Sequence, residues 1–347
     1  MDSNVFTLFR SWRAMVSVYD IAKIAGVSAT TVSNVLNGRG RFSDKTRDKV
    51  LSTAQALGYA TNVNARNLRA RITNTVGIVT PDVSNDYPAH IVLAIERAMR
   101  KQGFSSFICN TSYDADITTE CLVELKQRNV DAIFFVSCES LGDISIVKEK
   151  PCAVISHRMS AVPKRLFWVK NDIVAMVHDQ TETLYNRGCR RIALLALLDS
   201  TSSDPVMGGY RRFLVERELN YADSLCLIGK HENGSRLDAR DMVKTAITSG
   251  MQIDGIVVVG DRQALGACEA LAELGITPGN EVKVIGMDNS LYSQLGMSGI
   301  STVERNPDMM AAAAAGAVAA MIRGEEPTTN EMVIPHRIVE RATTLGA

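Results

Sequence analysis

Residues 18–38, VYDIAKIAGVSATTVSNVLNG, constrain the fold more than any other stretch of this 347-residue chain. Apolar residues recur at helical spacing from Val18 to Ala25, and a second run with helical spacing extends from Ala29 to Leu36. Gly26 can adopt the left-handed backbone of a sharp turn, and Ser28 can act as the N-cap of the second helix. The stretch is therefore predicted to form two short helices joined by a three-residue turn.

A third helix is predicted to follow the first two. Ser43 is a suitable N-cap, Gly58 a suitable end, and Val50, Leu51, Ala54 and Leu57 form the expected buried stripe. Three short helices would then share one small core. Residues 1–16 carry no such pattern and are predicted to be a disordered extension, with Met15 as the candidate start.

The net charge of zero hides a local excess of positive charge. Residues 15–71 contain nine basic side chains and only three acidic ones. Such an excess suits a polyanionic partner, although a solvated charged face would have the same composition. Within this range, the segment TNVNARNLRARITN is polar and basic, so it is predicted to be a linker or a marginal helix.

After residue 74 the pattern changes to apolar strands that alternate with longer helices. This alternation begins with TVGIVTP and the helical run HIVLAIERAMRKQG, and it starts again after Pro163. Such βαβ repeats predict mostly parallel sheets covered on both faces. Two sets of repeats predict two α/β lobes, with a ligand cleft beyond the carboxyl ends of their strands.

Composition places the chain among globular proteins of two or three domains, since 46% of residues are hydrophobic and 22% charged. The seven cysteines have no metal-ligand spacing, so they are expected to be core thiols in a reducing compartment. No apolar run is long enough to span a membrane, and Arg10 and Arg13 interrupt the N-terminus where a secretion signal would be apolar. A cytoplasmic protein with no membrane partner is expected.

Motifs that carry catalytic chemistry are missing from the sequence. It contains no G-x-S-x-G elbow, no phosphate-binding G-x-x-x-x-G-K-[ST] loop, no G-x-G-x-x-G after a strand and no H-E-x-x-H. The five histidines are scattered singly. The sequence therefore predicts no catalytic residues, no metal site and no cofactor.

A helix, a three-residue turn and a second helix that begins with small polar residues form the geometry with which a helix enters the major groove of DNA. Ordinary three-helix packing has the same spacing and stays open on spacing alone. However, YDIAKIAGVSATTVSNVLNG, VSNDYPAHIVLAIERAMRKQGF, RGCRRIALL, GDRQALGACEALAELGI and VIGMD together resemble the LacI/GalR (lactose-repressor) family of bacterial transcription regulators. The resemblance covers about residues 17–345.

The resemblance implies an N-terminal all-α helix-turn-helix headpiece at residues 17–60 and a hinge helix at 61–73. It further implies a periplasmic-binding-protein-like α/β core of two parallel-sheet lobes. The expected bounds are 74–170 with 302–332 for the first lobe, and 171–301 with 333–347 for the second.

The resemblance also implies which headpiece residues contact DNA. Val18 and Tyr19 match positions near the DNA backbone, and the matching polar contacts are Ser28, Thr31, Ser33 and Asn37. Base edges are expected to be read by Ala29, Thr30 and Asn34. Many relatives have Arg at the position of Asn34, so a bidentate guanine contact is lost there. In the hinge, Asn62, Ala65 and Leu68 match family positions, and Leu68 is expected to wedge a base step open from the minor groove.

The implied effector cleft departs from the family pattern. Val206 stands where an effector-binding Arg is usual, and Ser156, followed by His157, stands where an Asp often ends a strand. Ser156, His157 and Tyr87 remain candidate ligand contacts. Asp172, Asp261 and Asp288 are further candidates, because each follows a strand, but each could instead cap the next helix.

The sequence thus predicts a dimeric DNA-binding regulator, expected to be a repressor. It would bind a pseudo-palindromic double-stranded operator as a homodimer, and a small-molecule effector, such as a sugar or related metabolite, would control its affinity. A periplasmic-type receptor that acts without DNA and an α/β enzyme are the alternatives. The headpiece argues against the former, and the missing catalytic motifs argue against the latter.

Overall fold

The computed structural model describes residues 16–36, 40–59, 72–138, 140–156, 166–197, 203–219, 225–229, 236–294 and 299–346. The chain divides into two compact units, one up to Arg71 and one from Ile72 onward. Residues 1–15 of the predicted N-terminal extension lie outside the described residues, as does the hinge segment from residue 60 up to Arg71, whereas Val16 packs against the headpiece core and so does not belong to an extension.

The described residues of the first unit form three helices, α1 (Val18–Ala25), α2 (Ala29–Leu36) and α3 (Asp44–Ala56). A capping box between Ser17 and Asp20 begins α1, and Gly26 ends it in the left-handed conformation at φ 64°. The Ser43 side chain caps α3, as predicted, by accepting from the Thr46 N–H.

The core of this unit is built around Ile21, Val32, Val35 and Val50. One residue of the buried stripe predicted for α3 is wrong. Leu51 is 45% exposed, because it lies on a helix face that points away from this small core. Three helices of this length can bury only a narrow stripe each.

The second unit begins with strands and helices that alternate as the sequence predicts. In chain order they are β1 (Thr75–Thr80), α4 (Asp86–Lys101), β2 (Ser105–Asn110), α5 (Ala115–Gln127), β3 (Ala132–Val136), β4 (Cys152–Ile155), β5 (Leu166–Lys170), α6 (Ile173–Asn186), β6 (Ile192–Leu197), α7 (Ser203–Glu216), β7 (Cys226–Gly229), α8 (Arg236–Thr248), β8 (Gly255–Val258), α9 (Asp261–Glu273) and β9 (Lys283–Ile285). The C-terminal part adds β10 (Thr302–Glu304), α10 (Pro307–Ile322), β11 (Glu331–Val333), β12 (Arg337–Val339) and α11 (Ala342–Leu345).

Apart from β10 and β12, these strands form two parallel sheets, one in each lobe of the second unit. The first sheet has the order β11-β5-β4-β3-β1-β2 and the second the order β7-β6-β8-β9. Helices α4 and α10 cover one face of the first sheet, and α5 contributes to the core on its other face. Helices α6 and α7 cover one face of the second sheet, and α8 and α9 cover the other.

Two lobe bounds differ from those expected. Residues 302–304 were expected in the first lobe, but β10 pairs antiparallel with β12, and Val303 packs in the core of the second lobe. Conversely, Val333 belongs to a strand of the first sheet and Ile334 is buried in the core of the first lobe. The connections between the lobes therefore lie near residues 171, 305 and 335.

Within the described ranges, none of the helices combines the length and the apolar character that a transmembrane segment needs.

Candidate functional site

The N-terminal turn of α2 presents polar side chains to solvent. The Ser28 hydroxyl accepts from the Thr31 N–H at 3.1 Å and lies 2.9 Å from the Thr31 hydroxyl. This cap fixes the start of α2. The side chain of Thr30, the second residue of the helix, is exposed. A short, capped helix with small polar residues at its start can approach a DNA groove without steric hindrance.

The residues predicted to contact DNA differ in exposure. Tyr19 is 77% exposed and Ser28 is also exposed, whereas Val18 and Ala29 pack partly against the headpiece core. Three further predicted residues are half-buried, namely Thr31, Ser33 and Asn34. Asn37, Asn62, Ala65 and Leu68 lie outside the described residues, so their predicted roles stay predictions.

A cavity of about 140 Å³ lies between the two lobes of the second unit. Pro81, Ser137 and Ile155 border it from the ends of strands in the first sheet. Val259 and Met287 border it from the ends of strands in the second sheet. The cleft is therefore at the carboxyl ends of both sheets, where open parallel sheets bind ligands.

Arg305 lines this cavity together with three other charged residues, Asp86, Arg262 and Asp288. Its guanidinium lies 3.8 Å from the centre of the Tyr87 ring, and its Nη1 donates to Asp288 Oδ1 at 3.0 Å. The side chains of Arg305 and Asp288 are only 13% and 18% exposed. Tyr87 in turn donates its hydroxyl to Met310 Sδ at 3.2 Å, and burial raises the pKa of Tyr87 to about 12. The phenol is thus neutral under all ordinary conditions.

Asp288 is held in an unusual backbone conformation at φ 112°, which favours glycine. Its N–H donates to the carbonyl of Val303 at 2.9 Å, and this bond keeps it in place. Burial raises the pKa of Asp288 to about 6, although the neighbouring Arg305 acts in the opposite direction. Strained residues of this kind are often found at binding sites, because the surrounding structure enforces them.

Asn171 connects the cavity to the three segments that join the lobes. Its Nδ2 donates to the carbonyl of Arg305 at 3.1 Å and to the carbonyl of Ile334 at 2.9 Å. Its Oδ1 accepts from Arg305 Nε at 3.2 Å. Since Asn171, Arg305 and Ile334 lie on three different connecting segments, one buried amide holds all of them together.

Two of the three candidate aspartates have structural roles. Asp172 caps α6 by accepting from the Ala175 N–H at 3.0 Å, and it is not among the described residues that line the cavity. Asp261 is 1% exposed and accepts from the Thr302 hydroxyl at 2.6 Å and from the Ser290 N–H at 2.7 Å. Burial, together with the nearby charge of Asp288, raises the pKa of Asp261 to about 8. Of the three, only Asp288 borders the cavity.

The other candidate effector contacts fall on the cavity wall where they are described. Tyr87 and Ser156 border the cavity, whereas His157 lies outside the described residues; Val206, which stands where the family has an Arg, also borders it. Whether Tyr87, Ser156 or Asp288 contacts a ligand stays a prediction. Arg305 and Asn171 were not predicted, although each is a polar residue directly beyond a strand, and this signal could have pointed to them.

Arg262 joins the two lobes at the cavity. Its Nη2 donates to the carbonyl of Ser84 in the first lobe at 2.8 Å, and its guanidinium lies 5.3 Å from the ring of Tyr292. The contact couples α9 to the loop before α4. A change in the distance between the lobes would break or re-form this hydrogen bond.

One group of possible metal ligands occurs in the described part of the chain, away from the cavity. His178, Asp179 and Glu182 place ligand atoms within 4.8 Å of one another. All three have protein partners: His178 lies 2.9 Å from Glu216, Asp179 lies 3.0 Å from His336, and Glu182 lies 2.9 Å from Arg217. The arrangement is an ion-pair network, and we assign no metal to it.

Comparison with known proteins agrees with this architecture. Residues 17–62 match the family described as "Bacterial regulatory proteins, lacI family", and residues 181–344 match the "Periplasmic binding protein-like domain". The chain is 30% identical to the HTH-type transcriptional regulator DegA of Bacillus subtilis (strain 168), over 94% of this chain and 98% of DegA. It is 28% identical to catabolite control protein A of Priestia megaterium, over 95% and 99% of the two chains.

Solved structures show the same fold. A Lac repressor dimer bound to operator and the anti-inducer ONPF has a TM-score of 0.84 at 22% identity, covering 95% of this chain and 99% of that one. The regulator CelR in its cellobiose complex has a TM-score of 0.70 at 21% identity, covering 94% and 99%.

A helix-turn-helix unit and a two-lobed core with a cavity between its sheets define a DNA-binding transcriptional regulator. The full-length similarity to DegA shows that this chain belongs to the LacI family of bacterial regulators. The family and the fold class predicted from the sequence are thereby confirmed.

Proposed function

We propose that this protein is a repressor that binds a pseudo-palindromic operator as a homodimer, and that a small molecule in the cavity between the lobes changes its operator affinity. The DNA-binding part of this proposal rests on the capped, polar N-terminal turn of α2. Thr30 and Asn34 are one helical turn apart on α2, so their side chains can read neighbouring base edges. An asparagine at such a position favours adenine.

Dimerisation follows from the size of the headpiece. One recognition helix reads only a half-site, and two-fold symmetry doubles the contacts on a pseudo-palindrome. The Lac repressor structure of similar fold is a dimer on its operator, which supports the same arrangement here. Leu68, together with Asn62 and Ala65, is proposed to act in the minor groove at the centre of the site, on the basis of the family resemblance alone.

Effector control is supported by the way both lobes contribute to the cavity. A ligand that contacts Tyr87 from the first lobe and Asp288 from the second stabilises one arrangement of the lobes over another. Such a ligand can shift operator affinity only by its difference in affinity for the two arrangements, typically about 1–3 kcal/mol. The CelR structure of similar fold holds cellobiose, and we propose a small polar ligand for this chain.

The test is selection from a randomised duplex library with the full chain and no added ligand. We expect a roughly palindromic site with a flexible pyrimidine-purine step at its centre. Fluorescence anisotropy at several salt concentrations then measures specific and non-specific binding separately.

Two matched variants make this test specific. Asn34→Ala should weaken binding to the selected site by about 1–3 kcal/mol and relax the preference at one position per half-site. Gln55→Ala, on the exposed face of α3, should leave that preference unchanged. Salt-sensitive binding without any enriched sequence would contradict the proposal and favour a receptor that acts without DNA.

A further inference from the structure

Arg305 is oriented before any ligand arrives. The Tyr87 ring lies against one face of its guanidinium, and the bond from Nε to Asn171 Oδ1 fixes the rotation of the group in its plane. When a ligand binds this guanidinium, the side chain therefore loses little conformational entropy, and little affinity is lost in ordering it. The two bonds to Asn171 and Asp288 use two of its five N–H donors.

Two carboxyl groups line the cavity together with Arg305, namely Asp288, which pairs with Arg305 at 3.0 Å, and Asp86. Asp261 is engaged with Thr302 and Ser290, and its raised pKa of about 8 leaves it largely protonated at neutral pH. Burial has raised the pKa of Asp288 to about 6, so this carboxyl can also take up a proton at modest cost. A guanidinium, in contrast, keeps its charge at every ordinary pH.

A second feature of the cavity points to the same sign of charge. Helix α9 begins there at Gly260, and no side-chain hydrogen bond caps this end. Helix N-termini carry a positive partial charge, Arg262 in the first turn adds a full one, and Asp261 in the same turn is largely protonated at neutral pH.

We propose that the effector carries a carboxylate or phosphate group and that the guanidinium of Arg305 binds this oxyanion. The inference rests on the proposed effector site and adds the chemical class of its ligand. The planar N–H fork of Arg matches two oxygens of either group with parallel hydrogen bonds. Ligand pockets usually measure about 300–1,000 Å³, so the smaller cavity between these lobes fits a small molecule.

The test is isothermal titration calorimetry of the full chain with acids and their uncharged counterparts. The carboxylate pairs are glycerate with glycerol and gluconate with sorbitol, and the phosphate pairs are glycerol 3-phosphate with glycerol and sorbitol 6-phosphate with sorbitol. We expect at least one acid to bind about tenfold or more tightly than its uncharged counterpart. The two kinds of pair distinguish a carboxylate from a phosphate ligand.

Three variants assign the binding to Arg305. Arg305→Gln should reduce the affinity for that acid at least about tenfold and abolish the preference over the uncharged counterpart. Arg305→Lys keeps the positive charge but lacks the planar N–H fork of the guanidinium. It should bind the acid more weakly and still prefer it to the uncharged counterpart, and it replaces the Gln variant if that variant does not fold. Arg128→Gln removes an exposed arginine that pairs with Glu124 and should bind as the wild type does.

Three results would overturn the inference. They are equal or tighter binding of the uncharged counterparts, wild-type affinity in Arg305→Gln, and no binding of any acid up to about 10 mM, where millimolar dissociation constants are still measurable. None of them affects the proposed DNA binding, because the operator selection is carried out without ligand. Failure of that selection would likewise leave the calorimetry interpretable.

Discussion

Asn171 and Arg305 are joined twice, although they are 134 residues apart in the chain. The Asn171 Nδ2 donates to the Arg305 carbonyl at 3.1 Å, and the Arg305 Nε donates to the Asn171 Oδ1 at 3.2 Å. The same Nδ2 also binds the carbonyl of Ile334. Through Asn171 the cavity arginine is therefore bonded to the other two segments that connect the lobes.

Asn171→Ala should lower the free energy of unfolding by about 3 kcal/mol, because it leaves two buried backbone carbonyls without this donor. Urea denaturation followed by circular dichroism measures the loss. Asn110→Ala is the control, since Asn110 is exposed and its loss should cost about 1 kcal/mol. Equal losses in the two variants would show that the buried amide has no special role.

Two adjacent glycines of α7 should respond in opposite directions to the same substitution. A Cβ at Gly208 meets nothing within 4 Å, so Gly208→Ala should stabilise the protein by about 0.5–1 kcal/mol through helix propensity. A Cβ at Gly209 would overlap the carbonyl oxygen of Val174 and lie 2.9 Å from the Cβ of Val177. Gly209→Ala should destabilise by about 1–3 kcal/mol, since α6 must move away.

Thermal denaturation of the two glycine variants beside the wild type provides the measurement. Because both variants replace Gly by Ala in the same helix, the gain in helix propensity is the same in both. Only the contact of the new Cβ with α6 differs between them. Stabilisation by both substitutions would mean that α6 and α7 pack less closely than described.

The buried carboxyl of Asp261 should make stability depend on pH. Its pKa is raised from an ordinary value of 3.8 to about 8, so above pH 3.8 the unfolded chain releases a proton that the folded chain retains. The stability that this carboxyl contributes is therefore complete below pH 3.8 and is lost as the pH rises toward 8, by at most about 1.4 kcal/mol per pH unit. Urea denaturation across this range measures the slope.

Asp261→Asn should flatten this slope. The Asn amide can donate to the Thr302 hydroxyl and accept from the Ser290 N–H, so it imitates the protonated carboxyl without titrating. The same change at the exposed helix cap Asp172 should leave the slope intact. A variant Asp261→Asn with the wild-type slope would assign the pH dependence to other groups.

His178 should add a second pH dependence at higher pH. Partial burial alone would lower the pKa of His178, but its hydrogen bonds to Glu216 and Asp179 outweigh burial and raise it above 6.5. Both ring nitrogens face carboxylates, which requires the doubly protonated imidazolium. Stability from this site is thus complete below pH 6.5 and is lost as the pH rises through the higher folded pKa.

His178→Gln should remove the part of the decline in stability that begins near pH 6.5. The decline in stability at lower pH should stay. Other titratable and charged groups in the network are His336, Glu182, Arg212 and Arg217. His90→Gln, at an exposed histidine, is the matched control. If both variants follow the wild-type curve above pH 6.5, His178 is not the titrating group.

Local patterns in the sequence were sufficient for much of the fold. The bounds of α1 and α2 and the caps Ser28 and Ser43 were predicted correctly, because capping and helical periodicity depend on residues within a few positions. The alternation of strands and helices likewise predicted two parallel-sheet lobes, since strands buried on both faces are continuously apolar.

The tertiary structure decided what each polar residue does. Asp172, Asp261 and Asp288 all follow a strand, yet the first caps a helix, the second is buried behind the cavity and the third binds Arg305. Their sequence contexts do not distinguish them, because each role depends on partners from distant segments. For the same reason only the folded chain reveals that Arg305 and Asn171 meet, and that β10 belongs to the second lobe.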